Sequence, residues 1–408
     1  MRLPSLSSRS ALGLALCVLA LACTASPART DAPAMPPKAA ASAAPLPAGY
    51  TADLAQLDGY ALGLTQADRF SGVVLVARDG HVMFEKAYGK RDAERNDPAT
   101  VNTRFNLASA GKMFTSVAVF QQIAAGRLSL DTHVGEVLKD YPNRRFADSV
   151  TVRELLTHTG GAGDIPLFGV ENAANRARVH TVAEMLALGD DRPPDFTPGT
   201  KLVYGNFGNV VLGRMVEVLS GEDYETYVRR HIFEPAGMTH TGFVDCMSSA
   251  PDLAVGYATV NGKRVSNCEV LPARGFPAGG EVSTGRDMFR FVRALQTGML
   301  LPRALFAEAT RTYREFMGLG FFATGYGLDR PGRDFRWGHG GSAAGICTDV
   351  RTYPATDETI IVLSNRSPPD CYPVANFLHQ QYDERGHHFT GAMSSPRSGG
   401  QMEARGEG

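Results

Sequence analysis

The order of strand-like and helix-like segments is the feature that most limits the fold of this chain. Alternating hydrophobicity over 71–89 is interrupted at Asp79-Gly80, a pair typical of hairpin turns. From 109 to about 253 the apolar spacing is mostly helical, and strand-like runs return only between 336 and 366. Early and late strands must therefore pair. The pattern predicts an α/β (α+β) fold: an antiparallel β-sheet flanked by helices, with a large all-α segment inserted.

The two ends of the chain differ from its body. Two arginines precede a short apolar run, which predicts a signal peptide over 1–22 rather than a membrane span. The Ala/Pro-rich stretch 23–48 is predicted to be an unfolded linker or tether, and 391–408 a disordered tail. One domain is expected over 49–390, with its α/β part at about 49–106 and 272–390 and its α-rich part at about 107–271.

Export is predicted in two alternative forms. Cleavage before Cys23 fits an ordinary small-residue site, which would release the protein. It also fits bacterial lipoprotein processing, in which an acylated Cys23 anchors the chain to a membrane. Both alternatives place the mature protein outside the cytosol, either as a periplasmic protein or as a membrane-anchored lipoprotein.

The cysteines that follow Cys23 are even in number: Cys246, Cys268, Cys347 and Cys371. In an oxidising compartment, sequence-local pairing predicts Cys246 with Cys268 and Cys347 with Cys371. Four cysteines allow three pairings, and four buried free thiols are the remaining alternative.

Overall charge favours small-molecule partners. The formal net charge is -1 and the pI about 6.8, so no broad basic field would collect nucleic acid. We expect a monomer that acts on a small ester, amide or peptide, with no nucleic-acid partner.

The stretch "SAGK" places Ser109 and Lys112 three positions apart at the predicted start of a helix. On a helix this spacing puts both side chains on one face, so a lysine that loses its proton readily can take the serine's proton. A separate apolar stripe, with Met113, Val117 and Phe120, is expected to dock the helix. A serine at a helix start is also a common N-cap, which is the structural alternative.

Two further motifs supply possible partners for this pair. Tyr204-Gly205-Asn206 precedes an amphipathic helix and places a phenol and an amide on one turn. His339-Gly340-Gly341 lies in a predicted strand whose glycines allow a substrate to approach the backbone.

With "SAGK", "YGN" and "HGG" in this order, residues 53 to 385 resemble the serine hydrolases related to class C β-lactamases, D-Ala-D-Ala carboxypeptidases and family VIII esterases. "TVRELLTHTGG" and "FPAGGEVSTGRDM" are similar to further stretches of that family. The resemblance implies Ser109 as the acylated nucleophile, Lys112 and Tyr204 as the proton-transfer pair, and Asn206 as a partner of Lys112 and substrate. It implies a substrate-binding strand with His339, Gly341 and Ser342, and an oxyanion hole formed by the N–H groups of Ser109 and Ser342.

His339 departs from the lysine that β-lactamases of the family usually carry there. A histidine is half-charged near pH 6.5, which favours an esterase or peptide/amide hydrolase over a β-lactamase or D-Ala-D-Ala carboxypeptidase. A structural hydrogen bond from His339 to Tyr204 is the alternative. A non-catalytic lipoprotein that binds muropeptides or β-lactams is the rival from another class.

Other candidate motifs are set aside. His158 is expected to be a partly charged histidine at a helix C-terminus, with a structural role. "GLGFFA" from Gly318 lacks the strand and helix of a dinucleotide site, and His387-His388 lacks nearby ligands at metal spacing. No cofactor and no metal are expected.

Overall fold

A computed structural model describes residues 50–248, 250–325, 327–328 and 335–384, which all fall in one compact unit of the chain. The predicted signal peptide (1–22), the tether (23–48) with Cys23, the tail (391–408) and His387-His388 lie outside the described residues. None of the helices described is long and apolar enough to cross a membrane.

The helices lie before, between and after two groups of strands. They are α1 (Tyr50–Gln66), α2 (Lys112–Ala124), α3 (Val134–Val137), α4 (Arg144–Ser149), α5 (Val152–Leu156), α6 (Ala173–Arg178), α7 (Val182–Leu186), α8 (Phe207–Ser220), α9 (Tyr224–Val228), α10 (Gly285–Gln296), α11 (Arg303–Ala309) and α12 (Tyr372–Glu384). The strands are β1 (Gly72–Arg78), β2 (His81–Tyr88), β3 (Lys90–Asp92), β4 (Asp97–Pro98), β5 (Phe105–Asn106), β6 (Tyr257–Val260), β7 (Lys263–Ser266), β8 (Val282–Ser283), β9 (Phe322–Thr324), β10 (Arg336–Ala343), β11 (Ile346–Tyr353) and β12 (Glu358–Ser364).

The main sheet joins the two ends of the described chain. It has six strands in the order β2-β1-β12-β11-β10-β9, and every neighbouring pair is antiparallel. Strand β1 pairs with β12 from Gly72 opposite Ser364 to Arg78 opposite Glu358. The predicted fold class is confirmed, because the mostly helical segment lies between β2 and β9. The short pairs β3-β4, β5-β8 and β6-β7 also lie there, and the apolar pattern did not predict them.

Both faces of the central strands are buried, which explains why β1 and β12 are nearly continuous runs of Val, Ile and Leu. Val74 and Val76 on one face pack into a cluster with residues of α1 and α12. Val73 and Leu75 on the other face belong to the larger core that includes α2, α8 and α10. Helices therefore cover both sides of the sheet at its central strands.

Helix α2 is the centre of the larger core. The apolar stripe expected to dock this helix is buried, and so is every other residue from Lys112 to Phe120. Packing partners lie on all sides, because α8, α9, α10 and α11 surround this helix. Phe114 lies edge-on to Phe233 and to Phe291, with ring centroids 4.9 and 4.8 Å apart.

The predicted cysteine pairs are present as disulfides. Cys246 bonds to Cys268, and Cys347 in β11 bonds to Cys371 at the start of α12. The second bond ties the last helix to the main sheet.

We expect Phe114→Ala to lower the free energy of unfolding by about 3–5 kcal/mol, because it leaves a cavity at the centre of the core. Phe114→Leu is the matched control and should cost less than about 2 kcal/mol. Urea unfolding followed by circular dichroism measures both. Equal effects of the two variants would contradict the central position of this ring.

Candidate active site

Ser109 lies in a short 3-10 turn (Ala108–Gly111) that joins β5 to α2. Helix α2 begins at Lys112. Ser109 therefore lies in the turn before this helix and not, as predicted, at the start of the helix itself. Ala108 adopts a φ of 43°, in the left-handed region that alanine rarely occupies. Asn106 helps to hold this conformation, since its Oδ1 accepts a hydrogen bond from the Ala108 N–H at 2.8 Å. Such local strain is typical of functional sites.

Two glycines let other segments approach this turn closely. A Cβ on Gly341 in β10 would overlap the Leu107 carbonyl oxygen, and one on Gly279, whose φ is 121°, would overlap the Ala108 carbonyl oxygen. The turn is therefore held between β10 on one side and the segment 275–281 on the other.

Lys112 is 1% exposed and bonds to three oxygens from three parts of the chain. Its Nζ lies 2.7 Å from Asn206 Oδ1, 2.7 Å from the Ala278 carbonyl oxygen and 3.2 Å from Ser109 Oγ. Burial lowers the pKa of Lys112 to about 7, against the opposing effects of Asp164 and Glu281. The lowered pKa expected from the sequence is confirmed.

The three partners determine where a neutral amine places its lone pair. The amide oxygen of Asn206 and the carbonyl of Ala278 only accept hydrogen bonds, so they take both N–H groups of neutral Lys112. The lone pair then remains on the side of the Ser109 hydroxyl, which can donate to it.

Asn206 is the N-cap residue of α8. Its Nδ2 donates to Asp164 Oδ1 at 2.8 Å, which leaves Oδ1 of the amide turned to Lys112. Asp164 lies in a loop without periodicity, and the sequence analysis missed it. No pattern in the chain marks this aspartate as part of the site.

Tyr204 has a buried hydroxyl without a hydrogen-bond partner in acceptable geometry. Burial raises the pKa of this phenol well above its usual value; the nearby Ser109 hydroxyl opposes the rise, while Asp164 and Tyr372 add to it. Desolvation is the dominant cause, so this phenol is harder to ionise than an exposed tyrosine. Tyr204 is therefore a neutral phenol, with its ring centroid 5.0 Å from Lys112 Nζ.

His158 packs against Tyr204 at a ring-centroid distance of 4.3 Å, and its Nδ1 accepts a hydrogen bond from the Gly205 N–H at 3.4 Å. Burial lowers its pKa well below the usual value, with Lys112 and His339 acting in the same direction. The prediction of a partly charged histidine is wrong. The neutral ring instead packs against Tyr204 and bonds to the next residue, Gly205. These contacts agree with the structural role expected for His158.

His339 lies in β10 as predicted, but it is 2% exposed. Its Nδ1–H donates to the Gly340 carbonyl at 2.5 Å, and its ring stacks on Phe322 at 3.8 Å between centroids. Burial, with a smaller contribution from the charge on Lys112, lowers the pKa of His339 to about 3, against the opposing effect of the Gly340 hydrogen bond. The expectation of a half-charged group near pH 6.5 is therefore wrong. The hydrogen bond considered as an alternative, from His339 to Tyr204, is not formed either.

Ser109 lines a cavity of about 450 Å³ together with Asn206, Asp164 and Ser342. Its other walls are mainly apolar and are formed by Phe168, Val270, Leu271, Phe276, Ala343 and Ile346. His339 is not among the described residues that line this cavity; together with Tyr372 and Asn376 it is one of the residues around a separate cavity of about 110 Å³. Ser342 is exposed, and its Oγ lies 2.6 Å from the Tyr372 hydroxyl.

The comparison with known families agrees with this geometry. The Beta-lactamase family matches residues 49–383, which is most of the chain. This chain belongs to the beta-lactamase family. The resemblance of its motifs is thereby confirmed, and so is the expectation of an enzyme of the serine hydrolase type.

Relatives in the beta-lactamase family carry different names. Putative penicillin-binding protein PbpX of Bacillus subtilis (strain 168) is 28% identical over 258 residues, 62% of this chain and 62% of that protein. Esterase EstB of Burkholderia gladioli is 32% identical over 184 residues, 42% of this chain and 46% of that protein. This chain thus spans about three fifths of PbpX and less than half of EstB.

A solved penicillin binding protein from Bacillus halodurans has the same fold. It superposes with a TM-score of 0.69 and 26% identity, covering 78% of this chain and 99% of that one. The shared architecture therefore extends across nearly all of that penicillin binding protein, whereas the names of the relatives leave the substrate of this chain open.

We expect Gly341→Ala to lower kcat/KM by about a hundredfold, because the new Cβ would push β10 away from the Leu107–Ser109 turn by a fraction of an ångström or more. Gly242→Ala is the matched control, since a Cβ there meets no atom within 4 Å. Steady-state hydrolysis of an activated ester measures both. Full activity of Gly341→Ala would contradict the close approach described above.

Proposed function

We propose that this protein is an exported serine hydrolase that forms an acyl-enzyme on Ser109 from a small ester, amide or peptide. The observation that carries the proposal is the contact between Lys112 Nζ and Ser109 Oγ, 3.2 Å apart, with the other two Lys112 contacts made to oxygens that only accept. A buried amine with a pKa of about 7 is suited to proton transfer at neutral pH.

The first step is attack of Ser109 Oγ on the substrate carbonyl. As the new C–O bond forms, the hydroxyl proton passes to the lone pair of Lys112, which becomes an ammonium ion. The tetrahedral intermediate then collapses: the bond between the carbonyl carbon and the leaving group breaks, and the neutral phenol of Tyr204 gives its proton to the leaving group and recovers one from Lys112, which leaves the acyl-enzyme on Ser109. Water then enters in place of the leaving group, and the same transfers in reverse release the acid and restore Ser109.

The negative charge on the carbonyl oxygen needs N–H donors that are already in place. We assign this role to the backbone N–H groups of Ser109 and Ser342. The close packing of β10 against the Ser109 turn, which Gly341 permits, supports this assignment. Asn206 would also contact the substrate carbonyl, and Gly341 would leave room for the substrate backbone.

Charge in the cavity favours a neutral substrate over one that ends in a carboxylate. Of the residues described around this cavity, Arg274 is the one cation, and its guanidinium is bonded to Glu225 and to the Phe243 carbonyl. Asp164 is exposed and presents a negative charge. His339 is neutral and buried, so the substrate-binding role that we propose for it does not rest on a positive charge.

Export is supported by the two disulfides, which persist outside the cytosol.

A β-lactamase or D-Ala-D-Ala carboxypeptidase is the alternative activity, favoured by relatives that are named penicillin-binding proteins. A lipoprotein that binds muropeptides or β-lactams without turnover is the alternative from another class. Lipid attachment at Cys23 and a monomeric state are further parts of the proposal.

We expect Ser109→Ala to abolish hydrolysis of a short-chain activated ester while the protein remains folded, because the nucleophile is gone. Intact mass after brief exposure to a fluorophosphonate should show one adduct on the wild-type protein and none on the variant. Ser342→Ala is a control that keeps the backbone N–H and should still form the adduct. Full activity of Ser109→Ala would contradict the proposal. A stable adduct on the wild-type protein without turnover would favour the alternative of a non-catalytic binding protein.

We expect Asp164→Asn to raise kcat/KM for a carboxylate-ended D-peptide relative to a neutral ester by about tenfold. The reason is that an amide of the same shape keeps an oxygen for Asn206 and removes the repulsion. The ratio of the two kcat/KM values, measured in wild type and variant, is the readout. An unchanged ratio would show that substrate charge is not sensed at Asp164.

A further inference from the structure

The cavity beside Ser109 has the volume of a site for a small molecule, about 450 Å³. Apolar side chains from three separate segments form much of its wall: Phe168 from the segment before α6, Val270, Leu271 and Phe276 from the segment between β7 and β8, and Ile346 at the start of β11. Phe168 packs against both apolar clusters to which the other four belong, and its ring centroid lies 6.4 Å from that of Phe276. Residues far apart in sequence thus form one apolar wall.

The polar side chains around the cavity are already bonded within the protein. Their bonds are those of Asn106 with the Gly280 carbonyl and the Ala108 N–H, Asn206 with Lys112 and Asp164, Arg274 with Glu225 and the Phe243 carbonyl, and Ser342 with Tyr372. A polar group of the substrate placed against this wall would lose its bonds to water and gain few in return, which is costly. An apolar group would instead gain by leaving water. The wall therefore selects for an uncharged, apolar group.

Backbone hydrogen bonds fix the two sides of this wall against each other. The Gly169 N–H donates to the Val270 carbonyl at 2.8 Å. The guanidinium of Arg176 in α6 donates to the carbonyls of Gly169 and Glu269. The segment that carries Phe168 is thus tied to the segment that follows β7. A cavity formed in advance needs little ordering when it binds an apolar group.

The position of Tyr204 indicates which part of a substrate this cavity can take. Tyr204 is the proposed proton donor to the leaving group, so the leaving group must depart on its side of Ser109. The Tyr204 ring packs against the rings of His158, Phe322 and His339, at centroid distances of 4.3, 6.3 and 6.3 Å. Neither Tyr204 nor any of these three is among the described residues that line the cavity. The cavity therefore lies on the acyl side of the scissile bond.

We infer that this cavity binds the acyl part of the substrate, and that the acyl group is uncharged, apolar and larger than acetyl. This inference rests on the proposed function and names the substrate class within it. In the acyl-enzyme the apolar group lies against Phe168, Phe276 and Leu271, while the carbonyl stays at Ser109. A peptide acyl group, with its polar amides, is a poorer match to this wall.

Two isomeric esters test the inference in the wild-type protein. Ethyl hexanoate and hexyl acetate have the same composition and similar alcohol leaving groups, but the long alkyl chain lies on the acyl side in the first and on the leaving-group side in the second. Titration of the released acid gives kcat/KM for each, which is divided by the rate of hydroxide-catalysed hydrolysis. We expect a ratio of at least about tenfold in favour of ethyl hexanoate, since each buried methylene should contribute about threefold. Equal values, or a preference for hexyl acetate, would overturn the inference.

Phe168→Ala tests whether the preference arises in this cavity. Phe168 is only half-buried, so its removal leaves the core of the domain intact. The variant should lower the ratio of kcat/KM for ethyl hexanoate to that for ethyl acetate by about tenfold, because the longer acyl group loses the contact with this ring. Val170→Ala is the matched control: Val170 lies two residues further along, is 48% exposed and is not among the described residues around the cavity. It should keep the wild-type ratio, and an unchanged ratio in Phe168→Ala would contradict the inference.

A binding measurement without turnover separates this inference from the proposed function. N-methyl hexanamide is an inert, neutral analogue, and its Kd for Ser109→Ala can be measured by ligand-detected NMR. Adding Phe168→Ala to that variant should raise the Kd by at least about fivefold, whereas adding Val170→Ala should not. A Kd that does not respond to Phe168→Ala, or no binding at all, would count against the apolar site.

The two failures can be distinguished. If the wild-type protein shows no Ser109-dependent turnover, the proposed function fails, and the Kd of the amide still reports on the cavity. If turnover depends on Ser109 but ethyl hexanoate is not preferred to hexyl acetate, the inference about the acyl group alone fails.

Discussion

The buried amine of Lys112 is the group on which the rest of the site depends. It bonds to Ser109 in the 3-10 turn, to Asn206 at the start of α8 and to the carbonyl of Ala278 in the segment before β8. Removing a lysine from water is costly, and three oxygens in fixed positions offset that cost. The elements that carry these oxygens must therefore keep their places relative to α2. This requirement links the helical segment to the sheet.

Close packing of backbone, rather than side-chain chemistry, keeps those elements in place. The Ser109 turn is held between β10 and the segment 275–281, and the approaches at Gly341 and Gly279 leave no room for a Cβ. The core of α2 supplies the opposing support, since this helix is buried from Lys112 to Phe120. A rigid support matters because small displacements of a nucleophile from its N–H donors cost large factors in rate.

Desolvation sets the charge state of nearly every ionisable group at this site. Burial lowers the pKa values of Lys112, His158 and His339, and it raises those of Tyr204 and Glu281. The result is a site in which Tyr204, Glu281 and the two histidines are neutral near neutral pH, while Lys112 gains and loses its proton there. Asp164, at the exposed edge, is the charged exception. Such a site suits transfer of a proton between neutral groups and favours an uncharged substrate over an anionic one.

Much of the fold and part of the site could be predicted from sequence. Hydrophobic alternation and helical spacing indicated an antiparallel sheet with a helical insertion, because those periods follow directly from backbone geometry. The short strands β3 to β8 were missed, since two- to four-residue pairs carry no period. The side chains of "SAGK" and "YGN" are brought together as expected, with Lys112 bonded to both Ser109 and Asn206.

The sequence by itself determined which chemical groups the chain possesses, the order of its motifs and the family to which it belongs. Only the tertiary structure decided their charges and neighbours. His339 is buried and neutral, Tyr204 keeps its proton, and Asp164 and Glu281 lie close enough to influence Lys112. The physical reason is that a pKa depends on burial and on charges from distant segments, and neither is encoded in local spacing.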